Sequence, residues 1–168
     1  MAYVITENRL GQSLIGSVDT TAKVRVGTIV TAADPTYGAG EFIYLKGLDA
    51  TVVGSWVTYN MDDGSTTLLA ANAIGPVAVA MAATVTGTWG WYHIQGKAIA
   101  NAADVADNAD VYIDTVSGMC DDAAVTGDRV WGAKWASADD TASDTSQARA
   151  EVEIARPFVN DGLNAGTT

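Results

Sequence analysis

Apolar and polar residues alternate along most of this chain with a period of two, the spacing of a half-buried β-strand. Val24, Val26, Thr28 and Val30 interleave with Arg25, Gly27 and Ile29, and Asp34-Pro35-Thr36-Tyr37-Gly38 then supplies turn chemistry. Further strands are expected over Glu41–Lys46, Val52–Tyr59, Trp89–Ala100, Asp110–Asp114, Arg129–Ala136 and Arg149–Ala155, with Asp62-Asp63-Gly64-Ser65 as a hairpin turn. In Arg149–Ala155, Val152 and Ile154 should point inward and Arg149, Glu151 and Glu153 outward. The run Val77–Ala83 sets Val77, Val79 and Met81 against Ala78, Ala80 and Ala82, the pattern of a strand buried on both faces. Helix is expected to be scarce, with Thr67–Ala73 and Asn101–Ala106 the best short candidates. The fold class that follows is all-β, an antiparallel sandwich or barrel.

The division expected is an extended N-terminal arm over residues 1–23, a β-rich domain over 24–160, and a flexible tail over 161–168. The polar stretch Ser137–Gln147 and the tail lack apolar residues to bury, which predicts mobility. A length of 168 residues can bury a core without staples, and the single Cys120 cannot close an intramolecular disulfide. The N-terminus has no basic segment leading into an apolar one, and no apolar run nears the length of a membrane span. The expectation is a soluble protein made in the host cytoplasm, with no membrane partner.

The net charge of −11 repels phosphate backbones, which argues against direct nucleic-acid binding. The imbalance is uneven: residues 1–30 sum to +1 and the rest to −12. This asymmetry predicts a body that faces solvent and an arm that faces a partner.

Catalytic chemistry finds little support. His93 is the lone histidine, with no orienting acid or nucleophile signalled by any motif, and a second histidine for zinc is missing. Cys120 is flanked by Asp121 and Asp122, which oppose thiolate formation, so it reads as a packing residue. The carboxylate pairs Asp62/Asp63, Asp121/Asp122 and Asp139/Asp140, and the series Asp104, Asp107, Asp110 and Asp114, read as solvated turns before they read as a weak divalent site, because the calcium-loop spacing is missing. No phosphate-binding loop or dinucleotide fingerprint occurs, so no cofactor is expected. A small hydrolase built on an Asp/Glu pair with His93 is the weakest of the alternatives.

The phrases GTIVTAADPTYGAGEFIYLKG (Gly27–Gly47), GPVAVAMAA (Gly75–Ala83), GWYHIQGKAIA (Gly90–Ala100), GDRVWGAKWAS (Gly127–Ser137) and ARPFVNDG (Ala155–Gly162) resemble those of head decoration proteins, also called capsid cement proteins, of tailed bacteriophages. The resemblance implies a non-enzymatic β-rich protein on the outer surface of the virion shell, often a homotrimer, that binds the major capsid protein and bridges capsomers. It assigns no role to any numbered residue. The candidate contacts with shell or sister subunit therefore come from the arm itself: Tyr3, Ile5, Arg9, Leu14 and Lys23, with Arg25 at its end. Trp91, Trp131 and Trp135 divide between core packing and an aromatic interface, since Trp and Tyr are enriched at binding hot spots. The alternative function, a head-fibre component or carbohydrate-binding module, would use those same rings to adsorb to host glycans.

Overall fold

The computed structural model describes residues 3–5, 13–138 and 148–160; Arg9, most of the polar stretch before Arg149, and the tail 161–168 lie outside them. Twelve strands account for the regular structure: β1 (Val4–Ile5), β2 (Val18–Asp19), β3 (Ile29–Asp34), β4 (Gly38–Lys46), β5 (Trp56–Tyr59), β6 (Thr66–Leu68), β7 (Ile74–Ala80), β8 (Trp89–Asn101), β9 (Asp110–Ile113), β10 (Cys120–Asp121), β11 (Arg129–Trp135) and β12 (Arg149–Asn160). They form one antiparallel sheet that runs β1-β3-β4-β8-β7-β12-β11-β9-β10, with β2 joined to β8 and the β5–β6 hairpin joined to β7. The all-β expectation is met.

Turn chemistry explains where the strands begin and end. Asp34 Oδ1 accepts the N–H groups of Thr36 and Tyr37, and Gly38 follows at φ 76°, which closes the β3–β4 hairpin. Asp63 Oδ1 accepts from the Ser65 N–H and hydroxyl, and Gly64 takes φ 67° between β5 and β6. The strand expected from Val24 begins only at Ile29, because Arg25 C=O accepts both the Thr28 N–H and its hydroxyl in a turn around Gly27. Likewise β5 starts at Trp56, after a turn in which Ser55 Oγ accepts the Val52 N–H.

Neither short helix forms. Asn72 sits at φ 63° and Asp104 at φ 48°, left-handed conformations that cannot continue a right-handed helix. The residues of Thr67–Ala73 instead finish β6 and turn into β7, and Asn101 ends β8.

Three strands meet at the centre. β8 pairs with β7 through His93 and Tyr92, then with β12 from Gln95 to Asn101, while β12 goes on to pair with β7 through Phe158–Asn160. The change of partner on β8 falls next to Gly96 at φ 113°, where a side chain would meet the Ala39 carbonyl oxygen at 2.8 Å. Beyond this junction the sheet curls, and the β5–β6 turn returns to the end of β4: Lys46 N–H donates to Gly64 C=O at 3.0 Å and the Thr66 hydroxyl to Lys46 C=O at 2.9 Å.

Alternation along these strands divides the apolar residues into three cores. One holds Trp56, Val77, Val79, Ala98, Ala100, Val130, Trp135 and Val152. A second lies inside the curl, with Ile43, Leu45, Val57, Ala78, Ala80, Tyr92 and Ile94. The third holds Tyr3, Ile15, Val30, Phe42, Tyr44 and Trp91. Val77 and Val79 face the first core and Ala78 and Ala80 the second, so β7 is buried on both sides, as its sequence requires.

Candidate functional site

The described part of the N-terminal segment lies along the body. β1 adds to the edge of β3 by pairing Val4 with Ala33 and Ile5 with Ala32. Tyr3 is buried, its ring edge-on to Phe42 and His93 at 4.8 and 5.4 Å, and its hydroxyl donates to Lys97 C=O at 2.6 Å. Ile15 is buried in the same core, and Ser13 Oγ accepts from Trp91 Nε1. β2 pairs with the start of β8, and buried Asp19 accepts the Tyr44 hydroxyl at 2.6 Å. Burial, and then the Asp19 carboxylate, push the Tyr44 phenol up to about 12, so it stays a donor. Tyr44 Oη in turn accepts the Lys23 N–H.

Among the described residues of this segment, three apolar side chains face outward beside exposed Thr20 and Thr21. Val4, Leu14 and Val18 are 66%, 73% and 40% exposed, and the Lys23 and Arg25 side chains that follow are also exposed. Of the expected arm contacts, Leu14, Lys23 and Arg25 are thus at the surface, Tyr3 is anchored within the fold, Ile5 is a backbone partner of β3, and Arg9 lies outside the described residues.

The tryptophans separate. Trp91 and Trp135 are core residues in this chain: Trp135 stands edge-on to Trp56 at 6.1 Å and donates through Nε1 to Asp121 C=O, and Trp91 packs edge-on to Tyr44 at 5.0 Å. Trp131 is partly exposed, with the Arg129 guanidinium 4.4 Å from its ring centre. A bulge at Gly132 separates Trp131 from the register that buries Trp135.

His93 is fully buried and stacks on Phe42 at 4.3 Å. Its Nε2 lies 2.7 Å from Gln95 C=O, which makes Nε2 the protonated nitrogen, and Nδ1 has no hydrogen-bond partner among the described residues. Burial lowers its pKa to about 4. No acid orients it and no nucleophile stands beside it among these contacts, so the geometry is that of a packing residue. Cys120 is buried, and burial together with Asp121 and Asp114 pushes its thiol pKa well up. Asp121 itself is raised to about 6, first by burial and then by Asp114 and Asp122. These carboxylates serve as turn acceptors, Asp114 for the Val116 N–H, Asp121 for Ala123 and Asp122 for Ala106. Among the described residues no His, Cys, Asp and Glu cluster could hold a metal ion.

One feature was not legible beforehand. Where the curl stays open, Tyr59, Asn60 and Met61 separate two adjoining hollows of about 320 and 450 Å³. Met61 and Ile74 at their rims are 70% and 69% exposed. Their burial depends on how far the sheet rolls, which a strand pattern does not encode.

No protein-family model matches this chain, and neither does any curated protein.

Proposed function

We propose that this protein is a virion structural component that binds the outer surface of a bacteriophage capsid through its N-terminal segment and stabilises the shell by bridging neighbouring capsomers as a homotrimer. The observation that carries the reading is the construction of that segment. It is stitched to the body by β1, β2, Tyr3 and Ile15, yet it turns Val4, Leu14 and Val18 outward, followed by Lys23 and Arg25. Apolar side chains presented from parts of the chain already packed on the body lose little conformational freedom on docking, which suits adhesion repeated over many copies. The strand phrases quoted above support the same reading, and the acidic body suits a surface that must not stick to packaged DNA.

The buried anchors shape the test. Removing the whole segment would also strip Tyr3, Ile15 and Asp19 from the core, so outward-facing substitutions are the better probe. Val4→Asp combined with Leu14→Asp should keep the native circular dichroism and reduce co-sedimentation with empty shells by about ten-fold or more. Undiminished decoration by the double variant would refute the role of the segment. A copy number of only a few per virion would refute the shell location itself.

The glycan-binding reading would need a platform of exposed rings. Trp91 and Trp135 are buried, and Trp131 already has Arg129 over its ring. Quenching of Trp131 fluorescence by host glycans, abolished in Trp131→Phe, would favour it.

A further inference from the structure

A second apolar surface lies on the outer face of the sheet where β11, β12 and β7 run side by side. Val130 and Val159 are cross-strand partners in the first core, so the next pair, Trp131 and Phe158, faces the other way. Phe158 is in turn opposite Pro76, and Ile74 lies two residues away along β7 on the same face. Phe158 and Ile74 are 47% and 69% exposed. Two hollows flank this ridge. One, about 230 Å³, is walled by Tyr112, Val125 and Trp131 with Arg129 at its side, and the other is the polar hollow that Thr67, Ile74 and Pro76 line. Among the described residues no Asp or Glu lines either hollow, in a chain of net charge −11. Arg129 is already engaged within the chain: it lies over the Trp131 ring and pairs with Asp110 at 2.8 Å.

We propose that this strip joins copies of the chain to one another, with Phe158 of one copy seated in the Tyr112, Val125 and Trp131 hollow of the next. Charge selects the occupant. Two bodies that each carry −11 repel wherever their carboxylates face, so a contact between them needs a face without acid, whereas a basic partner would be drawn to the acidic remainder. The size fits as well. With the open parts of Val125, Trp131 and Pro76, the apolar strip is on the order of 400 Å², about half of the roughly 800 Å² that each partner gives to a stable interface. Thr67 and Thr126 beside the hollows supply an uncharged polar rim. A cavity of about 150 Å³ already admits a benzene ring, so the hollow of about 230 Å³ has room for the Phe158 ring. The inference deepens the shell-binding reading, on which it rests for the association of copies, and it uses strands other than those that carry Val4, Leu14 and Val18.

Sedimentation equilibrium of the full chain, with no shell present, tests this. The native protein should be oligomeric. Phe158→Asp and Val125→Asp, both at exposed positions, should each keep the native circular dichroism and weaken association about ten-fold or more. Val85→Asp adds the same charge at an exposed valine outside the strip and should associate as the native chain does. The proposal is overturned if the native chain is a monomer up to about 0.2 mM, if both strip variants associate undiminished, or if Val85→Asp weakens association as much as they do. Failure of the shell-binding reading looks different: a native chain that associates through the strip yet does not sediment with empty shells upholds this inference and sinks only that reading. An assembly of two copies instead of three, abolished by the strip variants, likewise upholds the strip and removes only the trimer.

Discussion

Two titrating side chains, His93 in the core and the half-buried Asp121, pull the acid stability of this protein in opposite directions. His93, fully enclosed, has its pKa lowered by burial to about 4, against an ordinary 6.5. The unfolded chain therefore binds this proton first as pH falls, and the stability contributed by the neutral ring, of order 3 kcal/mol, is present above about pH 6.5 and lost progressively toward 4. Asp121 behaves in the reverse sense. Its pKa is raised to about 6, chiefly by burial, so the folded state holds that proton more tightly, and the associated stability is present below the ordinary carboxylate range and lost as pH rises toward 6. Between about pH 4 and 6 the two slopes oppose each other. Urea unfolding as a function of pH should separate them: Asp121→Asn steepens the loss of stability on acidification, and His93→Phe removes it. An Asp121→Asn profile no steeper than that of the native chain would show that the Asp121 carboxyl is not raised in the folded state, and a His93→Phe profile as steep as the native one would show that His93 is not held neutral by its surroundings.

At the scale of elements, β1 shows how a strand of two residues can be secured from one end. Two backbone pairs with β3 would fray on their own, and Tyr3 holds them by packing edge-on against the stacked Phe42 and His93 rings and by bonding Lys97 C=O. Tyr3→Ala should speed hydrogen exchange at the Ile5 amide by at least ten-fold while amides of β8 keep their protection, with Tyr3→Phe intermediate because it loses the hydroxyl bond and keeps the ring. Equal protection of Ile5 in all three proteins would mean that backbone pairing alone holds the strand. Strands of this kind mark the limit of what the sequence discloses. The strands β8, β11 and the first half of β12, to Ala155, were legible because alternation over seven or more residues specifies a buried face, whereas its continuation past Arg156 and Pro157 to Asn160 was not, and the Asp34 and Asp63 turns were legible because Asp and Gly have local reasons to be there. β1, β2 and β10 are too short for any period to register, and their pairing partners lie far along the chain. The two misplaced helices failed for a local reason, the left-handed residues Asn72 and Asp104. Trp91 and Trp135 could not be assigned to core or surface from spacing alone, since an alternating strand does not say which of its faces is covered; the hollows around Tyr59 and Met61 were hidden because a strand pattern does not encode how far the sheet rolls.

For the whole molecule the decisive feature is the junction of β7, β8 and β12, where each strand pairs with the other two. β7 has its Val77 and Val79 face in one core and its Ala78 and Ala80 face in the next, while β8 contributes Trp91, Tyr92 and Ala98 to three different cores. Removing either strand would expose buried surface in at least two cores at once, so the three should melt together. Fluorine labelling of the tryptophans can read this directly, because Trp56 and Trp135 report one core and Trp91 another. In urea the native resonances of these three should disappear with midpoints that agree to within about 0.2 M, a spacing that corresponds to a fraction of a kcal/mol for a chain of this size. A distinctly earlier loss at Trp91 would mean that the core under the N-terminal segment opens by itself. In that event, whatever the segment binds would be coupled to local unfolding of β2, β3 and β4 and not to docking on a rigid body.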